Sequence, residues 1–229
     1  LLALLARVVD AEPVATVPRR IWPEAEAGLA VVLEGVATAG SAGWTDEFFE
    51  KDVAVAQLRL IPYQGGAGRV ERIHPAFASR RASLRDCLAL VPYLRHDFFR
   101  PGPYWTRHQW RGFRDGIQRG PTARTEVTAM ILSANPHLRG LYGSGWPLDP
   151  ALRTITPHLT ARYDLFVSIG GRGFRMEIDE LSRQRALSTS RTRRELYEAG
   201  KYTPSVQGVF VRRDDMIRRA QSRNLLDST

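Results

Sequence analysis

Three carboxylates, Asp164, Glu177 and Asp179, have the residue types and spacing closest to chemistry in this chain of 229 residues. They lie in the segment YDLFVSIGGRGFRMEIDE, which runs from Tyr163 to Glu180. Apolar residues alternate on either side of Gly170-Gly171-Arg172-Gly173, a pattern that predicts two short strands joined by a glycine turn. With Ile169 opposite Phe174, the register sets Asp164 against Asp179 and Phe166 against Glu177. Side chains alternate across a strand, so the three acids then share one face. Directly opposed carboxylates repel unless a cation separates them. The cation is either a metal ion or one of the neighbouring arginines.

The elements around this hairpin set its context. Residues 1–10 read as a helix, and a proline-punctuated linker leads to a second helix starting at Pro23. A short acidic helix is expected near 45–51. DVAVAQLRLIPY then reads as a strand, turned at Gly65-Gly66-Ala67-Gly68 into RVERIH. Helical patterns follow at 82–95, Thr106–Gln118, Thr122–Ala134 and about 150–161. A long basic helix is expected over 180–200, then a strand QGVFVRR and a helix begun by Asp214 or Asp215. This order predicts an α+β fold, with short hairpins packed against several helices around a single main core. The expected division is an N-terminal helical segment, 1–44, and a main domain, 45–229.

From 164 to 212 the predicted order is strand, turn, strand, helix, strand. It resembles the core of the restriction-endonuclease-like, PD-(D/E)XK nucleases. Asp164 matches the acid of the first strand, and Glu177 the acid of the second motif. Tyr163 stands where proline is common, and Asp179 where lysine is expected. The resemblance implies metal-assisted hydrolysis of a phosphodiester, with Asp164, Glu177 and Asp179 catalytic. Asp164 and Glu177 would hold Mg²⁺, which polarises the phosphoryl oxygen and activates water.

A second segment, YLRHDFFRPGPYWTRHQWRGFR from Tyr93 to Arg114, interleaves aromatic residues with arginines. On a helix starting at Thr106, Arg107, Arg111 and Arg114 fall on one face. Trp110, Phe113 and Ile117 fall on an adjacent face. Tyr104 and Trp105 sit in a Pro/Gly loop and are expected to be exposed. Arginines holding phosphates beside aromatics stacking on bases would make a nucleic-acid surface. Core packing or a subunit interface would account for the same aromatics. On the predicted 180–200 helix, Arg191 and Arg194 are candidates for the same surface, because five arginines spread around that helix cannot all be buried.

Composition favours a polyanionic partner, nucleic acid first. The net charge is +9, and of 33 basic residues only Lys51 and Lys201 are lysine. The planar guanidinium fork suits phosphate oxygens. The alternative is a structural or assembly protein, such as a viral coat or particle subunit, that forms homo-oligomers and has no activity. No apolar run reaches membrane-spanning length, so no membrane partner is expected. The first residue is Leu rather than Met, which fits a processed product or part of a longer polypeptide. The single cysteine, Cys87, excludes an internal disulfide. It fits a reducing compartment such as the cytoplasm, or the inside of a particle. Its apolar helical neighbours predict a buried thiol.

Overall fold

The computed structural model describes residues 15–39, 46–63, 66–80, 82–108 and 121–222. Its first helices are α1 (Trp22–Ala39), α2 (Asp46–Ala56), α3 (Pro75–Ala78), α4 (Leu84–Leu94) and α5 (Pro121–Ala134). The remaining helices are α6 (Leu152–Ile155), α7 (Pro157–Ser168), α8 (Glu180–Ser188), α9 (Arg191–Glu198) and α10 (Arg213–Gln221). The strands are β1 (Ile61–Tyr63), β2 (Gly66–Ile73), β3 (Gly102–His108), β4 (Gly140–Gly145), β5 (Arg172–Met176) and β6 (Val206–Arg212). They form one sheet in the order β1-β2-β3-β4-β6-β5. Strand β1 is antiparallel to β2, and β6 is antiparallel to both β4 and β5. The fold is α+β, as the sequence predicts.

The chain divides into two compact units. The first holds the described residues up to Glu71, those of Trp105–Leu138 and those from Ala220 onward. Val32, Val55, Leu60 and Ala67 form a buried cluster there. Helices α1 and α2, which flank the boundary expected at residue 44, both belong to this unit. Gly68 faces the Trp105 indole, and a Cβ at that position would overlap the ring.

The second unit comprises Arg72–Tyr104 and Arg139–Arg219. Its core gathers Leu90, Leu94, Phe98, Tyr104 and Phe174 with Phe210. Phe210 is fully buried and meets Tyr104 edge-on at 5.3 Å and Phe174 in a stack at 5.7 Å. Burial is continuous from Val206 to Val211, the signature of a strand covered on both faces. At the sheet's end, β5 is capped from outside, because the Arg175 amide donates to Asp86 Oδ2 at 3.2 Å. Asp86 lies in the first turn of α4, where the Ser83 hydroxyl oxygen accepts its amide at 3.2 Å.

Several sequence expectations require correction. Tyr163–Ser168 forms the end of helix α7 and not a strand, so Asp164 is not paired with Asp179. The glycines that suggested a hairpin turn close that helix instead. The Gly170 amide donates to Val167 O at 3.0 Å and the Gly171 amide to Phe166 O at 2.8 Å. With Gly170 at φ +89°, this is a Schellman ending, which favours glycine at the left-handed position. DVAVA likewise belongs to helix α2 and not to a strand. The expected long helix over 180–200 is broken into α8 and α9.

Tyr104 and Trp105 lie within strand β3, not in a Pro/Gly loop, and are 1% and 0% exposed. They are therefore core residues rather than a surface for bases. The expected helix from Thr106 is a strand as far as His108. Arg111, Arg114, Trp110 and Phe113 lie outside the described residues, as does the expected helix over 1–10. Cys87 is half-buried rather than buried, and its thiol donates to Ser79 O at 3.3 Å.

Candidate nucleic-acid interface

The chain from Asp179 to Gly200 forms a capped helical corner. Asp179 begins α8 by accepting the Ser182 amide at 2.8 Å through Oδ1 and the Ser182 hydroxyl at 2.8 Å through Oδ2. The amide and hydroxyl of Ser182 hold the Asp179 carboxyl below its ordinary range. Thr189 and Ser190 form the turn between the helices. Ser190 then caps α9, its hydroxyl oxygen accepting the Arg193 amide at 3.3 Å. Serine and aspartate suit these positions because each satisfies an amide that the helix leaves unpaired.

Arg193 fixes the corner. It is 2% exposed, and its guanidinium spreads over three acceptors. Nε donates to Ala186 O at 2.6 Å, one terminal nitrogen to Thr189 Oγ1 at 2.6 Å and the other to Thr156 Oγ1 at 3.1 Å. The Trp146 ring lies 4.8 Å from the guanidinium carbon, within cation–π range. Burial lowers the Arg193 pKa, yet an arginine keeps its charge under such conditions. Ala186 is fully buried, and its carbonyl is taken by Arg193.

Most of α9 is left to solvent. Arg191, Thr192, Arg194, Glu195, Tyr197 and Glu198 are all exposed, with Arg193 and Leu196 turned inward. The Arg191 side chain is 92% exposed and Nε donates to Glu195 Oε1 at 2.6 Å. Arg185 and Lys201 are also exposed, and Arg183 bridges to Glu180 at 2.6 Å. Between Glu180 and Lys201 the chain carries six basic residues and three acidic ones. The corner thus presents guanidinium groups on a short, braced helix.

Beside it is a cleft of about 540 Å³, lined among others by Asp86, Arg175, Glu177, Arg183 and Ser205. Glu177 is exposed, in the segment between β5 and α8. Asp164 is elsewhere, on α7, where it accepts from Arg153 Nε at 3.0 Å. That contact raises the Arg153 pKa. The three acids therefore do not share a face, because Asp164 is on a helix and Asp179 is spent on a cap. Among the described residues, no three His, Cys, Asp or Glu side chains gather to hold a metal ion. Of the arginines singled out from the sequence, Arg191 and Arg194 come together on α9, while Arg107 lies on β3 in the other unit.

A further polar cluster lies among the described residues of the first unit. Glu71 Oε1 lies 3.4 Å from His108 Nε2, and Thr106 Oγ1 lies 3.1 Å from the same nitrogen. Burial alone would raise the Glu71 pKa, but the contacts with His108 and Arg69 bring it down to about 2. A proton relay needs its hydroxyl and its carboxylate on opposite ring nitrogens. Here both share Nε2, so the group is a structural clasp.

From the sequence, Arg193 is one of five arginines spread around the expected 180–200 helix, part of which must face solvent or a polyanion. The usable signal was its place three residues after a cap-forming serine, which sets it on the same side of α9 as Leu196. No family model matches this chain, and neither a curated protein nor a solved structure is similar to it. Among the described residues, no helix is long and apolar enough to cross a membrane.

Proposed function

We propose that this chain binds nucleic acid, using the exposed arginines of the α8–α9 corner. The supporting observation is a short helix, braced by a buried guanidinium, that leaves Arg191 and Arg194 in solvent. A chain carrying a net charge of +9 attracts polyanions at long range, and the corner supplies the local contact. The reading is one of binding, not of hydrolysis, since Asp164 and Asp179 are each engaged by a local partner.

The test is fluorescence anisotropy with labelled duplex and single-stranded oligonucleotides across a salt series. Log affinity should fall linearly with log salt, by a slope of roughly −0.9 per phosphate contacted on duplex. Removing Arg185, Arg191 and Arg194 together should flatten that slope by about two to three units. A salt-independent affinity, or no binding at low salt, overturns the proposal.

A second reading, self-assembly, is favoured by apolar side chains left in solvent. Leu84 and Leu88, one turn apart on α4, are 75% and 61% exposed. Phe77 and Phe99 are each 65% exposed, on segments joined by the Ala76 amide donating to Phe98 O at 3.1 Å. Light scattering decides it: a monomer at high concentration removes this reading.

A further inference from the structure

We infer that the second helix of the α8–α9 corner enters the major groove of duplex DNA, in the manner of a recognition helix. The inference rests on the nucleic-acid reading above and specifies its substrate and its mode of contact. The first ground is architectural. Two short helices, of nine and eight residues, meet at a two-residue turn, each with its own side-chain cap. A helix of eight residues has little stability of its own in water. Here it is held by a cap and a buried arginine, and six of its eight side chains are exposed. Such bracing holds α9 in one orientation on α8, which sequence reading from a groove requires.

The second ground is shape and chemistry. An α-helix with its side chains is about 10–12 Å across, and the major groove of B-DNA is about 12 Å wide. In this mode of docking the N-terminal residues of the second helix reach base edges. On α9 those exposed residues are Arg191, Thr192 and, one turn later, Glu195. Arginine pairs with guanine O6 and N7, threonine meets the thymine methyl, and glutamate accepts from cytosine N4. The Arg191–Glu195 bridge at 2.6 Å holds these two groups side by side in the free protein. Arg194, with Arg183 and Arg185 on α8, supplies the phosphate contacts that fix register. An RNA duplex is a poorer match, because its major groove is too narrow for side chains to read.

The experiment is selection from a random-sequence duplex DNA pool by the full chain, repeated with Arg191→Ala, Thr192→Ala and Glu195→Ala. These side chains are exposed, so each variant should keep the wild-type melting profile, which is measured alongside. Wild type should enrich a short site, and Arg191→Ala should weaken binding to that site by roughly ten- to a hundredfold. Glu195→Ala should change the preferred base at one position without the same loss on random DNA. Methyl green, a major-groove ligand, should compete for the selected site. Salt-dependent binding that enriches nothing, or an enriched site unchanged in all three variants, overturns the groove assignment and leaves the binding reading intact. No binding to any nucleic acid at low salt overturns both.

Discussion

Replacement of Arg193 by alanine removes the brace of the helical corner, and the loss can be worked from its contacts. Three hydrogen bonds disappear, to Ala186 O, Thr189 Oγ1 and Thr156 Oγ1. Hydrogen bonds to a charged group contribute about 1.5–3 kcal/mol each, so the gross loss is roughly 5–9 kcal/mol. Much of it is offset, because the truncated chain no longer pays to desolvate a guanidinium. The Ala186 carbonyl loses a partner and the space beneath Trp146 empties, leaving a net loss of about 2–4 kcal/mol. Arg193→Lys keeps the charge but converges its donors on one atom, and should cost about 1–2 kcal/mol. Urea unfolding gives the free energies, and amide exchange at Arg193 and Arg194 reports the corner itself. Exchange there should accelerate in both variants, while Phe174, in the strand core, stays protected. An Arg193→Ala variant within about 0.5 kcal/mol of wild type, with unchanged exchange, would refute the brace.

The remaining predictions concern single contacts. At Gly140 the backbone has φ +155° and a Cβ would strike the Val211 carbonyl oxygen, so Gly140→Ala should cost about 2–3 kcal/mol or more by chemical denaturation. Asp149, 3% exposed, accepts the Ser205 amide at 3.0 Å and the Ala151 amide at 3.0 Å. Asp149→Ala orphans both, and should lower stability by about 2–4 kcal/mol in the same assay. The depressed Glu71 carboxyl contributes stability that is complete above its ordinary value of 4.5 and lost as pH falls toward about 2. Circular dichroism on acidification should therefore show a steeper loss across that window for wild type than for Glu71→Gln; equal curves would remove the clasp.

The sequence made the architecture more legible than the site, for reasons visible in particular residues. QGVFVRR at 207–213 reads as a strand and forms β6, and helices at 84–94 and 121–134 follow their periodicity within a residue or two. YDLFVSI was ambiguous, because a seven-residue apolar alternation also places Phe166 and Ile169 one helical turn apart, both buried. Pro157 at the helix start and Gly170–Gly171 at its end carried the deciding signal, which the hairpin reading spent on a turn. Asp52 and Val55 hid α2 in the same way inside an apparent strand. Gly68 was read as punctuation, whereas its missing Cβ makes room for Trp105, a relation between distant segments that no local pattern reveals. The cap-forming serine marks where Arg193 sits on α9, but its burial depends on acceptors up to 37 residues away, which no local pattern supplies.

The bond from the Arg175 amide to Asp86 has a consequence for solubility. A terminal strand with free amides is a template on which another chain can build sheet, the first step toward fibrous aggregates. Asp86 occupies one such amide on β5 with a carboxylate, which puts a negative charge where an incoming strand would approach. Asp86→Ala would leave the fold's interior untouched and still shorten the shelf life of the protein in solution, measured as thioflavin-positive aggregate per day. If that variant stays clear as long as wild type, the carboxylate is a local cap and no guard.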